Sequence, residues 1–190
     1  MEKSSIILVR HSQPEIRPEL PAVQWDLSET GRQRCISLAN KIRKYQPVIV
    51  VTSREQKAIQ TGAILAHILE ISTTIAAGLH EHERDGMGLD SRRIFEAKLK
   101  RFFAEPSRLV FGQESAGQAL LRFSAAISDV LSQHPTGSVV IVAHATVIAL
   151  WVTSLIGGDP FSFWKGLGMP AYAVFSRTNL KFVEIVDHVS

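Results

Sequence analysis

Ile6-Ile7-Leu8-Val9-Arg10-His11-Ser12 carries an apolar run straight into two basic side chains. Four apolar residues, three of them β-branched, suit a strand buried on both faces, as in a parallel sheet. In open α/β sheets, ligands bind beyond the carboxyl ends of the strands, which is where Arg10 and His11 fall. A second run, Val139-Val140-Ile141-Val142-Ala143, ends in the same way on His144. Two buried strands that each deliver a histidine to one sheet edge predict a paired-histidine site.

The chain has 190 residues, 45% of them apolar, which is enough for one domain with a sizeable core. No apolar run reaches the ~20 residues that span a bilayer. The start, Met1 to Ile6, is too short and polar for a secretory signal. Cys35 stands alone, so neither a disulfide framework nor a cysteine zinc site is expected. A cytoplasmic location follows as the expectation. The net charge of +3 fits nucleic-acid binding in principle, but there is no dense Lys/Arg run and aromatics are only 7%. Basic groups gathered around an anionic small molecule account for the charge better.

Between the two histidine strands the elements alternate. Residues 12–26 hold three prolines and no clean period, so they form a loop over the site. Ser28 or Thr30 caps a helix to about Lys44, with Ile36, Leu38, Ala39 and Ile42 facing inward. Pro47 ends it, Val48 to Val51 form a buried strand, and Thr52-Ser53 caps a helix from Arg54 to about Leu69. Ile71 to Ala77 is a short β-branched strand. Leu89 to Phe103 is amphipathic and basic, part of a helical insertion around 89–110 near the site's mouth. A long helix runs to about Gln133, with Glu114 in its first turn complementing the helix dipole. After His144 a helix covers Thr146 to Ile156, Trp164 to Gly168 is loop or lid, and a hairpin closes the chain at Ala171–Arg177 and Lys181–Asp187. No repeats or linkers interrupt this, so one domain, 1–190, is expected.

These motifs, in this order, resemble the histidine phosphatase superfamily, also called phosphoglycerate mutase-like. Its first strand ends in Arg-His-Gly, where this chain has Arg10-His11-Ser12, and a later strand supplies a second histidine, here His144-Ala145. The resemblance implies an α/β fold, a three-layer α/β/α sandwich with a mostly parallel central sheet. It also implies a phosphorylated nucleophile, His11. The family's Ser-x3-Arg-Ala-x-Gln-Thr-Ala stands here as Ser53, Lys57-Ala58 and Gln60-Thr61-Gly62, so Lys57 takes the place of the second phosphate-binding arginine. A lysine offers a point charge where an arginine offers a planar fork. Arg54, three residues earlier, is the alternative contact if both lie on one helix face. Leu79-His80-Glu81 matches the stretch that carries the family's general acid, with Glu83 as competitor. His80, Glu81, His82 and Glu83 could also suggest a metal site, but no further ligand pair is evident.

A neutral imidazole is a competent nucleophile toward phosphorus, and neighbouring cations bias His11 toward that form. Arg10, Lys57, His144 and the amide groups of the helix opening at Ala145 are suited to a phosphoryl group's equatorial oxygens. Glu81 would protonate the leaving oxygen and then deprotonate water. No metal or organic cofactor is required. The expected activity is hydrolysis of a small phosphomonoester. A phosphoglycerate-type mutase and a non-catalytic phosphate-binding module remain alternatives, the latter because of Ser12 and Lys57.

Overall fold

Alternation along the strands divides the apolar residues between two helical layers. The computed structural model describes residues 4–84 and 91–190. Its sheet has six strands: β1 (Ser5–Arg10), β2 (Pro47–Thr52), β3 (Ser72–Ile75), β4 (Ser138–Ala143), β5 (Ala171–Ser176) and β6 (Phe182–Val186). Their order is β3-β2-β4-β1-β5-β6. The first four run parallel, while β5 lies antiparallel to both β1 and β6. The fold is mixed α/β with a mostly parallel sheet, as expected.

Side chains of a strand alternate between faces. On β1, Ile7 and Val9 join Val140 and Val142 of β4 against α1 (Glu29–Ile42) and α2 (Gln56–Leu69). Ile6 and Leu8 join Val139 and Ile141 against α3 (Arg92–Ala104), α4 (Ala116–Gln133) and α5 (Ala145–Ile156). All eight of these residues are fully buried, so β1 and β4 are central strands and their runs contain no polar residue. A short helix, α6 (Pro160–Gly166), leads into β5.

Local signals explain most boundaries. Ser28 caps α1 by accepting from the Gly31 N–H, and Ser115 caps α4 in a capping box with Gln118. Gly31 is required by contact: a Cβ there would lie 2.1 Å from the Gln13 carbonyl oxygen. Gly62 is held likewise, since a Cβ would lie 2.2 Å from Thr52 Cγ2. The glycine of Leu27-Ser28-Glu29-Thr30-Gly31 and that of Gln60-Thr61-Gly62 thus let helices press on the loop after β1 and on β2.

Several expectations need correction. Ile36 and Val48 are exposed; Cys35 replaces Ile36 on the inner face of α1. The second helix starts at Gln56 with Glu55 at its cap, so Thr52-Ser53 is not the cap and Arg54 lies outside the helix. Glu114 precedes the α4 cap, and its carboxylate is taken by Arg122 rather than by the helix dipole. Trp164 sits in a helix, because Asp159 caps the turn and Pro160 occupies its first position. The start of the insertion, Leu89 and Asp90, and the Asp85-Gly86 end of the acidic loop lie outside the described residues.

Candidate active site

The parallel register dictates which side chains meet. Arg10 pairs with Ala143, so the next residues, His11 and His144, leave the sheet side by side, and the His11 N–H donates to the Ala143 carbonyl at 3.0 Å. The two imidazoles are tilted against each other with centroids 5.1 Å apart. On the other flank of β4, the Ser53 N–H donates to the Val142 carbonyl at 3.0 Å, which brings the chain after β2 to the same edge. The chain leaving β3 reaches it through Leu79, Glu81 and His82. The sheet order β3-β2-β4-β1 therefore becomes the order of Glu81, Glu55 with Lys57, His144 and His11 along the edge.

His11 is buried, and its Nδ1 lies 2.7 Å from the Ser12 carbonyl oxygen. A carbonyl only accepts, so Nδ1 carries the proton and Nε2 keeps its lone pair. Burial, with His144, Lys57 and Arg10 nearby, holds the His11 pKa well below 6.5, so the ring is neutral near pH 7. Ser12 is fully buried, yet its hydroxyl is turned to the Gly31 carbonyl (2.7 Å) and its N–H to Thr61 Oγ1 (3.0 Å). The serine in place of the family's glycine is thus absorbed by α1 and α2. Arg10 donates to the Leu167 carbonyl after α6, and its Nε is buried without a partner. Burial, partly offset by Glu81, lowers its pKa to about 10, which leaves it a cation at neutral pH.

His144 is completely buried. Its Nε2 lies 2.6 Å from Ser53 Oγ and 3.2 Å from Glu55 Oε1, while Nδ1 has no partner. Burial pushes its pKa well below 6.5, with Glu81 opposing and Lys57 reinforcing. Lys57 is buried at the first turn of α2, its ammonium 2.5 Å from Glu55 Oε2 and 2.7 Å from the Ala22 carbonyl of the loop over the site. Arg54 is exposed in the bend before α2 and takes part in none of these contacts. Ala145 opens α5, so its N–H has no acceptor within the helix. The next N–H, that of Thr146, donates to Glu81 Oε2 at 3.2 Å.

Glu81 thus joins the cluster, with Oε1 accepting from the His82 N–H at 2.9 Å. Burial alone would raise its pKa, but Arg84, His144 and the His82 N–H outweigh that and hold it below the ordinary carboxylate value. Glu83 instead pairs with His80 at 3.0 Å and is not gathered with His11 and His144. Among the described residues no group of three or more His, Cys, Asp or Glu side chains is placed to hold a metal ion.

Two important residues escape the sequence reading. Glu55 touches Lys57, His144 and the Glu81 N–H (2.8 Å). Arg122 of α4 donates to the carbonyls of Gly78, His80 and Glu81 while paired with Glu114, so it fastens the loop that presents Glu81. A carboxylate or guanidinium whose partner lies far along the chain has no local pattern to betray it. Gln60, by contrast, lies in the Gln60-Thr61-Gly62 motif, and its side chain holds Asp26 (2.6 Å) and the Leu27 N–H (2.8 Å), anchoring the end of the site loop.

A family model, the histidine phosphatase superfamily (branch 1), matches residues 6–182. The chain belongs to this superfamily. This histidine phosphatase is 25% identical to phosphoserine phosphatase 1 of Hydrogenobacter thermophilus, over 89% of this chain and 84% of that protein. It is 26% identical to glucosyl-3-phosphoglycerate phosphatase of Mycolicibacterium vanbaalenii, over 99% and 86% respectively. Among solved structures, Bacillus stearothermophilus YhfR superposes with a TM-score of 0.78 at 18% identity, with 98% of each chain covered. These likenesses agree on the phosphoglycerate mutase-like fold and on relatives that act on small phosphate esters.

Arg122→Ala should release the Glu81 loop and strand the mostly buried Glu114 carboxylate. Breaking such a pair costs ~3–5 kcal/mol, and a protein of this size loses ~2–4 °C of Tm per kcal/mol. Thermal unfolding should therefore show Tm falling by about 6 °C or more, with Arg122→Lys unable to restore it because one ammonium cannot serve three carbonyls and a carboxylate. A Tm unchanged in Arg122→Ala would contradict this reading.

Proposed function

We propose that this phosphatase hydrolyses a small phosphomonoester through a phosphohistidine at His11. The observation that carries the reading is the Nδ1–H bond to the Ser12 carbonyl, which leaves Nε2 as the nucleophilic nitrogen. In the first step, the Nε2 lone pair forms the N–P bond. The ester P–O bond breaks toward the leaving oxygen, which takes a proton from Glu81. In the second step water gives a proton to Glu81, its oxygen bonds phosphorus, and the N–P electron pair returns to Nε2. Arg10, the third donor of Lys57 and the Ala145 N–H supply charge and hydrogen bonds to the phosphoryl oxygens, joined by His144 Nδ1–H in the tautomer whose Nε2 accepts from the Ser53 hydroxyl. These groups stand in for the electrostatic role a metal would play.

The named relatives act on phosphoserine and glucosyl-3-phosphoglycerate. A small, non-nucleic-acid phosphate ester is accordingly the substrate class. The fit of a single buried, reduced cysteine, Cys35, with a reducing compartment supports a cytoplasmic setting. Residues 12–26 and 160–170, which carry the Ala22 and Leu167 carbonyls bound to Lys57 and Arg10, are the segments to vary when specificity is mapped.

A screen of phosphomonoesters should release free inorganic phosphate with and without EDTA, and His11→Ala should abolish release. Phosphate retained on the enzyme and passed to a second hydroxyl would favour a mutase. Normal turnover by His11→Ala would remove the mechanism.

Glu81→Gln should slow esters with poor leaving groups far more than p-nitrophenyl phosphate, whose leaving oxygen needs little protonation. General acid catalysis is worth ~10²–10⁴-fold, so the ratio of the two rates is the diagnostic. The same contrast in Glu83→Gln, but not in Glu81→Gln, would transfer the role.

A further inference from the structure

Resting on that hydrolase reading, we infer that Glu55 is a positioning residue for proton transfer: its carboxylate, hydrogen-bonded to the Glu81 backbone, makes entry of a phosphate dianion load a proton onto Glu81. The problem it answers is plain from the site. A general acid must hold a proton before the leaving group departs, yet Glu81 in the ligand-free pocket is an ionised carboxylate beside Arg84 and two amide donors. Something has to reverse that preference when substrate binds.

Glu55 is placed to do so. It is buried at the cap of α2 but does not cap the helix. Its Oε1 accepts the Glu81 N–H at 2.8 Å, and its Oε2 takes the Lys57 ammonium at 2.5 Å. Lys57 is therefore already matched by an anion, and the phosphate that reaches it meets Glu55 as well. The facing charges are Arg10 after β1, Lys57 on α2, and Arg84 on the Glu81 loop, with His11 and His144 neutral between them; Arg122 of α4 is occupied by Glu114. Two carboxylates, Glu55 and Glu81, stand against these three cations. Adding a dianion brings the anionic charge to four, and like charges in a site that excludes water disfavour ionisation of one of them. Glu55 is in direct contact with an ammonium, whereas the hydrogen bonds of Glu81 come from amides and Arg84 acts on it only through space, so Glu81 is the group that takes the proton. Glu55 thus raises the proton affinity of its neighbour at the moment the acid is needed, at some cost in phosphate affinity.

Glu55→Gln is isosteric and keeps an acceptor toward the Glu81 N–H, but its amide nitrogen then faces the Lys57 ammonium, so the charge effect on Glu81 is read from the difference between two esters that share Lys57 equally. The readout is kcat against pH for glycerol 2-phosphate and for p-nitrophenyl phosphate. The alkaline limb for glycerol 2-phosphate should move down by about one pH unit, making its rate relative to p-nitrophenyl phosphate roughly tenfold lower above that limb. Competitive inhibition by vanadate should tighten. An unmoved limb, or an equal loss for both esters at every pH, overturns the proposal, the second being the mark of a purely structural residue. The wild-type protein supplies an independent measurement: calorimetry with sulfate at pH 7.5 in buffers of different ionisation enthalpy. About one proton should be taken up per sulfate, and Glu81→Gln should abolish the uptake. No uptake by the wild-type protein overturns the role assigned to Glu55. Failure of the hydrolase reading would appear separately, as no ester turnover while sulfate-linked proton uptake persists.

Discussion

His11 donates its backbone N–H to Ala143, and that last rung of the β1–β4 ladder brings two histidine side chains into ring contact. Parallel strands keep their carboxyl ends together, so one register places every strand's following residue at the same edge. Slipping it by one residue would carry the Arg10 guanidinium into the fully buried position that Val9 holds, which a charged side chain resists. The packing of the core and the geometry of the site are thus one constraint. The Ser12 carbonyl adds the chemical half: it fixes the protonated nitrogen of His11, while Thr61 and Gly31 hold Ser12 itself in place.

The electrostatics differ from a simple basic pocket. Arg10 and Lys57 face two carboxylates, and both histidines are kept neutral mainly by burial. Lysine in place of the family's arginine becomes intelligible beside Glu55, because a compact ammonium can satisfy one carboxylate oxygen and the Ala22 carbonyl and still keep a donor. Departures that looked like weakened catalysis are matched by local partners: Ser12 by Gly31, Lys57 by Glu55. The binding-module alternative loses its motivation to that extent.

Much of this was legible in the chain. The runs ending on His11 and His144 could be read because buried parallel strands are continuously apolar, so the polar residue that stops them is conspicuous. The Gln60-Thr61-Gly62 motif was equally visible, and each member has a physical task. Glu55 was hidden because an acidic residue at a helix start already has an ordinary explanation in the helix dipole. The Glu114–Arg122 pair was hidden because its purpose lies in the carbonyls of residues 78–81, more than forty positions away from Arg122. The cap at Asp159-Pro160 is likewise a local pattern, and it opens the helix that takes up Trp164 to Gly166 of the stretch expected as loop or lid.

The central claim is that Nδ1 of His11 is blocked by the Ser12 carbonyl and Nε2 is the nucleophile. Rapid quench during turnover, followed by phosphorus NMR and peptide mapping, reads both the residue and the nitrogen that carry phosphate. The account predicts acid-labile phosphate on His11, bonded to Nε2. Phosphate on Nδ1, on another side chain, or on no residue while turnover continues would contradict it.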